Sequence, residues 1–171
     1  MKRVSNGGDS DNKMDGAAGK RFGSLPVFFL RFLAFSTLLY LIHLKAGFIY
    51  MRAVAWGASP LLAIFGKKLV LENALKVTEE ISLNPVVYLS LVAAVTGVSW
   101  KKRIRPAVAG YLILTAANIL TVFLVFMSAY MKDERLWAGT EFLNLTINFF
   151  LPLLLWFVLM PIRDIFPFRN S

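Results

Sequence analysis

The chain contains no cysteine among its 171 residues. That absence excludes a disulfide framework, a thiolate metal site and a cysteine nucleophile. Histidine is nearly as scarce, with His43 alone. One imidazole and no thiol cannot assemble the usual zinc donor sets, so neither a metal nor a cofactor is expected. Charge is thin, at 17% of residues, and ten acids stand against nineteen Lys and Arg. A net charge of +9 can mark a nucleic-acid-binding domain. Here the basic residues flank apolar runs and form no soluble basic face, so nucleic acid is not an expected partner. Gly7-Gly8 and the other glycines sit in no strand-to-helix setting that would cradle a phosphate.

Apolar residues are abundant instead, at 57% of the chain, with a mean hydropathy of +0.62. A soluble domain of this length is normally less apolar. The apolar residues also cluster in blocks, as in membrane helices that are hydrophobic all round. Between two such blocks lies Lys101-Lys102-Arg103-Ile104-Arg105. Neither Pro85–Trp100 before it nor Pro106–Tyr130 after it contains Asp, Glu, Lys, Arg or His. Short loops rich in Lys and Arg are retained in the cytoplasm, so Lys101, Lys102, Arg103 and Arg105 are read as topology determinants.

The expected fold class is all-α: a polytopic membrane helix bundle of four transmembrane helices plus one interfacial or re-entrant helix, with a small extracytoplasmic segment. Residues 1–23 are polar, without apolar period, and read as a disordered cytoplasmic tail. The long apolar run that follows lacks a clean cleavage site and reads as an uncleaved anchor. A single transmembrane domain is expected over 24–162, with spans at about 25–44, 85–100, 106–130 and 142–160. Residues 45–84 form the extracytoplasmic segment and 163–171 a second cytoplasmic tail.

Within that segment, Arg52, Gly57, Ser59 and Pro60 interrupt 47–65. Its clean apolar part, 53–65, is too short to cross a core of roughly 30 Å, hence the interfacial or re-entrant helix. The stretch KKLVLENALKVTEEIS fits either a hairpin around Glu72-Asn73 or a short amphipathic helix. Pro85 and Pro106 suit first helical turns, and Pro152 suits a kink in the last span. With both termini and the basic turn inside, the cytoplasmic side holds eleven Lys or Arg and the other side seven. That bias agrees with four spans.

Polar groups inside apolar spans are costly unless paired, and they mark contacts or function. Tyr111, Thr115, Asn118 and Thr121 form one helical stripe, and Glu141, Asn144 and Asn148 form another. The two stripes are expected to face each other or a wet cavity. Thr115, Asn118, Thr121, Glu141, Asn144 and Asn148 therefore define a candidate polar groove, read either as interhelical hydrogen bonding or as a binding site. His43 and Lys45 near the outer end of the first span read as an interfacial flank or as a proton-transfer pair. Trp56, Trp100, Trp137 and Trp156 fall near span ends, where tryptophans anchor at the interface.

This layout resembles the exosortase/archaeosortase family of membrane cysteine transpeptidases. The stretches that carry the resemblance are ISLNPVVYLSLVAAVTGVSWKKRIRP, AGYLILTAANILTVFLVF and ERLWAGTEFLNLTINFFLPLLLWFVL. Asn118-Ile119-Leu120-Thr121-Val122 sits on the family's Asn-x-x-Arg-Ile type motif, with Thr121 in place of the Arg. No Cys stands near Leu83-Asn84, and no His near Trp137–Glu141. Transpeptidation needs an activated thiolate with a base nearby. The resemblance therefore implies a non-catalytic relative, like the small membrane proteins that accompany exosortases, for example in type H systems. It implies a bacterial inner membrane location and, as partners, the lipid bilayer with an exosortase or its sorted substrate; a homo-oligomer is compatible with it.

Two other functions compete. A small-solute transporter or channel subunit would need broken helices or an ion-coupling acid. A membrane enzyme with a non-cysteine mechanism would gather Glu79, Glu80 and Glu141, with Lys76 and Arg135, on the outer face.

Overall fold

The computed structural model describes residues 24–160, which form five helices and no strand. They are α1 (Ser24–Ile64), α2 (Leu71–Ile81), α3 (Asn84–Ala94), α4 (Trp100–Met131) and α5 (Glu134–Leu159). The expected tails lie outside the described residues. The all-helical class is as expected. Three helices, α1, α4 and α5, are long and apolar enough to cross a membrane.

The expected break after residue 44 does not occur. Residues 47–64 continue α1 as one helix of 41 residues, not as a separate re-entrant element. Gly57 does not end it because a small residue is what its packing needs there, and Pro60 is accommodated inside the helix on an exposed side. A Cβ on Gly57 would lie 2.5 Å from Ile119 Cδ1, and Ala55 and Ala58 are fully buried. The helix ends at Gly66, which takes a left-handed φ of +66°. There the Gly66 amide donates to the Ala63 carbonyl at 2.9 Å and the Lys67 amide to that of Leu62 at 3.0 Å. This is the glycine-terminated closure that satisfies the last free carbonyls of a helix.

The hairpin alternative at Glu72-Asn73 is excluded, since α2 covers it. α2 is amphipathic, with Ala74, Thr78 and Ile81 buried and Glu72 and Lys76 exposed and paired at 3.4 Å. The expected span 85–100 is also corrected. α3 has 11 residues, about 16 Å of helix, half of a bilayer core of roughly 30 Å. It stops because Val95 turns extended and Gly97 takes a φ of +81°. Pro85 does occupy the first turn of α3. Pro106 does not begin α4, which starts six residues earlier at Trp100. A two-residue turn then separates α4 from α5. Lys132 takes a left-handed φ of 53°. Asp133 caps α5, its Oδ1 accepting from the Arg135 and Leu136 amides at 2.9 and 3.2 Å.

α1 and α4 run parallel. Tyr50 faces Tyr111 with ring centroids 5.9 Å apart, and Phe65 faces Phe123 at 5.7 Å. α2 and α3 return in tandem against that direction, meeting at Ser82-Leu83. At the top of the return, the Tyr130 hydroxyl donates to the Lys68 carbonyl. At its foot, Arg103 reaches the Ala93 carbonyl. Two cores result. One packs Val54, Leu62, Ile81, Val122 and Phe126; the other packs Tyr88, Val95, Leu114, Leu155 and Trp156. Trp156 is therefore a core residue against Phe28 and not an interfacial anchor. The outer faces stay apolar, with Leu30, Leu33 and Ile49 of α1, Leu112 of α4, and Phe149 and Val158 of α5 all exposed.

Candidate functional site

The most polar place in the interior is the joint between α2 and α3. Asn84, the first residue of α3, is 2% exposed, and Asn118 of α4 is fully buried. Their amides bond reciprocally. Asn84 Nδ2 donates to Asn118 Oδ1 at 2.9 Å, and Asn118 Nδ2 donates to Asn84 Oδ1 at 3.1 Å. Asn118 Nδ2 also lies 2.7 Å from the Tyr50 hydroxyl and 3.2 Å from the Ile81 carbonyl, so its two protons are shared among three acceptors. That carbonyl belongs to the last residue of α2, left unpaired within its helix by the interruption. A long polar side chain from the neighbouring helix thus completes the broken one, as helix breaks in apolar surroundings require.

The two stripes do meet, but through a residue on neither of them. Asn84 Nδ2 also approaches Asn148 Oδ1 at 3.3 Å, and Asn148 Nδ2 donates to Asn144 Oδ1 at 2.8 Å. Four asparagines from three helices make one chain. Thr115 and Thr121 instead return their hydroxyls to the Tyr111 and Ala117 carbonyls of their own helix, at 2.8 and 3.0 Å. Glu141 is exposed and accepts from Trp137 Nε1 at 3.0 Å. It lines a separate cavity of about 240 Å³ with Val77, Thr140 and Asn144, so Asn144 links that cavity to the amide chain.

His43 is not a simple flank. Its Nε2 lies 3.1 Å from Ser82 Oγ, while Lys45 is exposed. The ring folds back against α1 over Gly47, where a Cβ would come within 2.6 Å of it. His43 and Ser82 stand between two cavities. One, of about 180 Å³, is lined by Tyr50, Pro85 and Tyr111; the other, of about 210 Å³, by Tyr40, Met51 and Glu79. Ser82 Oγ donates to the Glu79 carbonyl at 2.9 Å. As bonded, its single proton is committed there, so the imidazole donates to Ser82 and does not act on it as a base. Of the enzyme reading's acids, Glu79 lines the second of these cavities with the pair, Glu141 lies in the separate cavity of about 240 Å³, and the Glu80 side chain lies outside the described residues. Among the described residues no three His, Asp or Glu side chains gather as metal donors.

The basic turn has a structural member. Arg103 Nε and Nη2 donate to the Val98 carbonyl at 2.9 and 2.5 Å, and Nη1 donates to Ala93 at 3.0 Å. The guanidinium fork thereby occupies carbonyls at and beyond the end of α3. Lys101 and Arg105 are exposed.

Sequence reasoning found Asn118, Asn144 and Asn148 but missed Asn84, Ser82 and Tyr50 as their partners. Tyr50 stands seven residues beyond His43, on the same face two turns on, a spacing that was legible. Compared with protein-family models, curated proteins and solved structures, the chain matches none.

Proposed function

We propose that this is a multi-pass membrane protein whose four passes are α1, the tandem α2–α3, α4 and α5. The basic turn and both termini lie in the cytoplasm, and the upper ends of α1, α2 and α4 form an outer cap. In this reading the protein is a non-catalytic accessory protein of an exosortase-type envelope-sorting system in a bacterial inner membrane. Its outer cap is the surface offered to a partner or sorted substrate.

The observation that carries the reading is the closed amide chain. The resembled family would place its nucleophile near Leu83-Asn84 and its Asn-containing motif at Asn118. Here those two positions are adjacent, yet their polar groups satisfy one another. The centre supports a helix joint and offers no activated nucleophile. The cap also carries apolar surface far from the basic turn, with Ile64 77% and Phe65 55% exposed. Ile64 stands twenty residues past Leu44, about 30 Å along the helix. Exposed apolar residues at that distance suit a protein partner.

The cysteine-free background allows a direct test. Single replacements K101C and E72C should be labelled by impermeant maleimide from opposite sides of the membrane. Labelling of both from one side would sink the topology. Co-purification in mild detergent with an exosortase or its substrate tests the partner. Recovery only as a lone species in every such detergent would count against the accessory role.

A transporter or channel subunit is favoured by one feature, the interrupted α2–α3 passage beside a polar cluster, which is how many transporters build solute sites. Solute uptake into liposomes containing the purified protein separates this reading from the first.

A further inference from the structure

An apolar groove of about 350 Å³ opens between α1, α3 and α4 at the end of the molecule that carries the basic turn. Its walls include Phe35, Leu38, Leu89, Val92, Ala107 and Val108. Almost nothing polar lines it. The rim is open, with Leu38, Trp100, Ile104 and Val108 between 51% and 63% exposed. Along α4 it runs from Trp100 to Val108, about 12 Å of helix rise. Three exposed cations stand close in sequence to lining residues: Arg31 about one helical turn before Phe35 on α1, and Lys101 and Arg105 next to Trp100 and Ile104 on α4. Arg103 sits at the floor with its donors directed to the α3 end and Trp100 beside it, the guanidinium 5.7 Å from the ring centroid. Arg31 lies close enough to Arg103 to repel it. Among the described residues no carboxylate pairs with Arg31, Lys101, Arg103 or Arg105.

An apolar trough flanked by exposed positive charge, on an outer face that is itself apolar, is complementary to an amphiphile with an anionic head. We propose that this groove is a binding site for an anionic glycerophospholipid of the cytoplasmic leaflet. One acyl chain lies along Leu38, Leu89 and Val108, and the phosphate is held by Arg31 and Arg105, with Lys101 near. Trp100 stands at the level where chain and headgroup meet, the usual depth of an interfacial indole. The volume fits the lower range of small-ligand sites, and basic pockets between helices on the cytoplasmic side are a recurrent means of holding acidic headgroups. The site would bias the protein toward anionic lipid and brace the contact between α1 and α4 at its cytoplasmic end. The proposal rests on the membrane reading above and goes beyond it.

The test uses the full chain with Trp100 as its one tryptophan, made by W56F, W137F and W156F. The Trp156 indole N–H has no partner, so Phe there removes no hydrogen bond. The protein is reconstituted in phosphatidylcholine vesicles containing a minor fraction of phosphatidylglycerol. Brominated acyl chains are placed on one lipid or the other at equal mole fraction. Brominated phosphatidylglycerol should quench Trp100 more strongly than brominated phosphatidylcholine, with a relative affinity of about fivefold or more, the effect of one basic residue at a membrane surface. The variant R31Q/R105Q should lower that ratio toward one without reaching it, because Lys101 remains, and an unchanged ratio overturns the proposal. V108F, which narrows the open rim without touching the core, should reduce quenching by both lipids. Equal quenching by the two lipids in the parent protein overturns the proposal but leaves the membrane reading standing. Loss of quenching on dilution of lipid against protein would show a second copy in the groove and overturns it too. No quenching by either lipid overturns the proposal together with the membrane reading.

Discussion

Asn84 and Asn118 exchange two side-chain hydrogen bonds, at 2.9 and 3.1 Å, between the first residue of α3 and the middle of α4. Both are buried. Removing one partner leaves the other's amide dry and unpaired, which costs more than the bond itself is worth. N118A also strips the Ile81 carbonyl and the Tyr50 hydroxyl of their donor. The expected loss is about 2 kcal/mol for N118A, read from unfolding in mixed detergent micelles. N84A should cost less, since the Ile81 carbonyl keeps its donor. The double variant should fall short of the sum, with a coupling of roughly 0.6–1.7 kcal/mol. Strict additivity would show that the two amides act independently.

How much of this centre was legible depended on where each residue sat. Asn118, Asn144 and Asn148 stand out because they are amides inside apolar runs, where the cost of burial makes them conspicuous. Asn84 precedes a proline at the edge of its run and looks like a loop residue. Its role comes from the α2–α3 joint, which depends on tertiary contacts with Tyr50 and Asn118. The length of α1 was hidden for a related reason. Gly57 is a breaker by propensity, but a helix needs a small residue where Ile119 presses on it, and packing outranks propensity. The basic cluster stands out by charge alone, but charge alone suggests a loop between spans, and the structure makes it the first turns of α4. That Arg103 differs from its neighbours was not readable, since its acceptors belong to a helix end that the sequence does not mark.

Arg103 and Lys101 should therefore separate structure from topology. R103Q removes the donors that close the end of α3 at Ala93 and Val98. Hydrogen bonds to a charged group are worth about 1.5–3 kcal/mol, and a loss toward the lower end is expected because the guanidinium is only partly buried. K101Q should leave unfolding unchanged within about 0.5 kcal/mol. In a cell-based topology reporter the order should weaken or reverse, since orientation responds to the number of basic residues flanking a span and not to their hydrogen bonds. A destabilisation by K101Q equal to that of R103Q would remove the distinction.

Two glycines make opposite predictions. A Cβ on Gly110 would lie 2.1 Å from Tyr88 Cζ, and Tyr88 is fully buried with its hydroxyl donating to the Pro106 carbonyl at 2.6 Å. The ring has nowhere to go, so G110A should destabilise by about 1–3 kcal/mol or more. Gly139 in α5 has nothing within 4 Å of the same position. G139A should stabilise by roughly 0.5–1 kcal/mol through helix propensity alone. Thermal midpoints of the two variants in one detergent decide the matter, and a shift of the same sign in both would refute the packing argument.

Gly47 and His43 give a sharper test, because the sign of one substitution should depend on the other residue. The His43 ring lies over Gly47 and places Nε2 3.1 Å from Ser82 Oγ. A methyl at residue 47 would sit 2.6–2.8 Å from three ring atoms. The ring can rotate away, but only by leaving Ser82. In the parent protein, G47A should therefore gain helix propensity and lose the hydrogen bond and the ring's packing, ending neutral or destabilising. In an H43A background the obstacle is gone, and G47A should stabilise by roughly 0.5–1 kcal/mol. The four corners of the cycle should show a coupling in the range of about 0.5–3 kcal/mol found for residues in contact. An identical effect of G47A in both backgrounds would mean that His43 does not rest on Gly47. The ring would then be free to point into the headgroup region, as its place near the end of the apolar run first suggested.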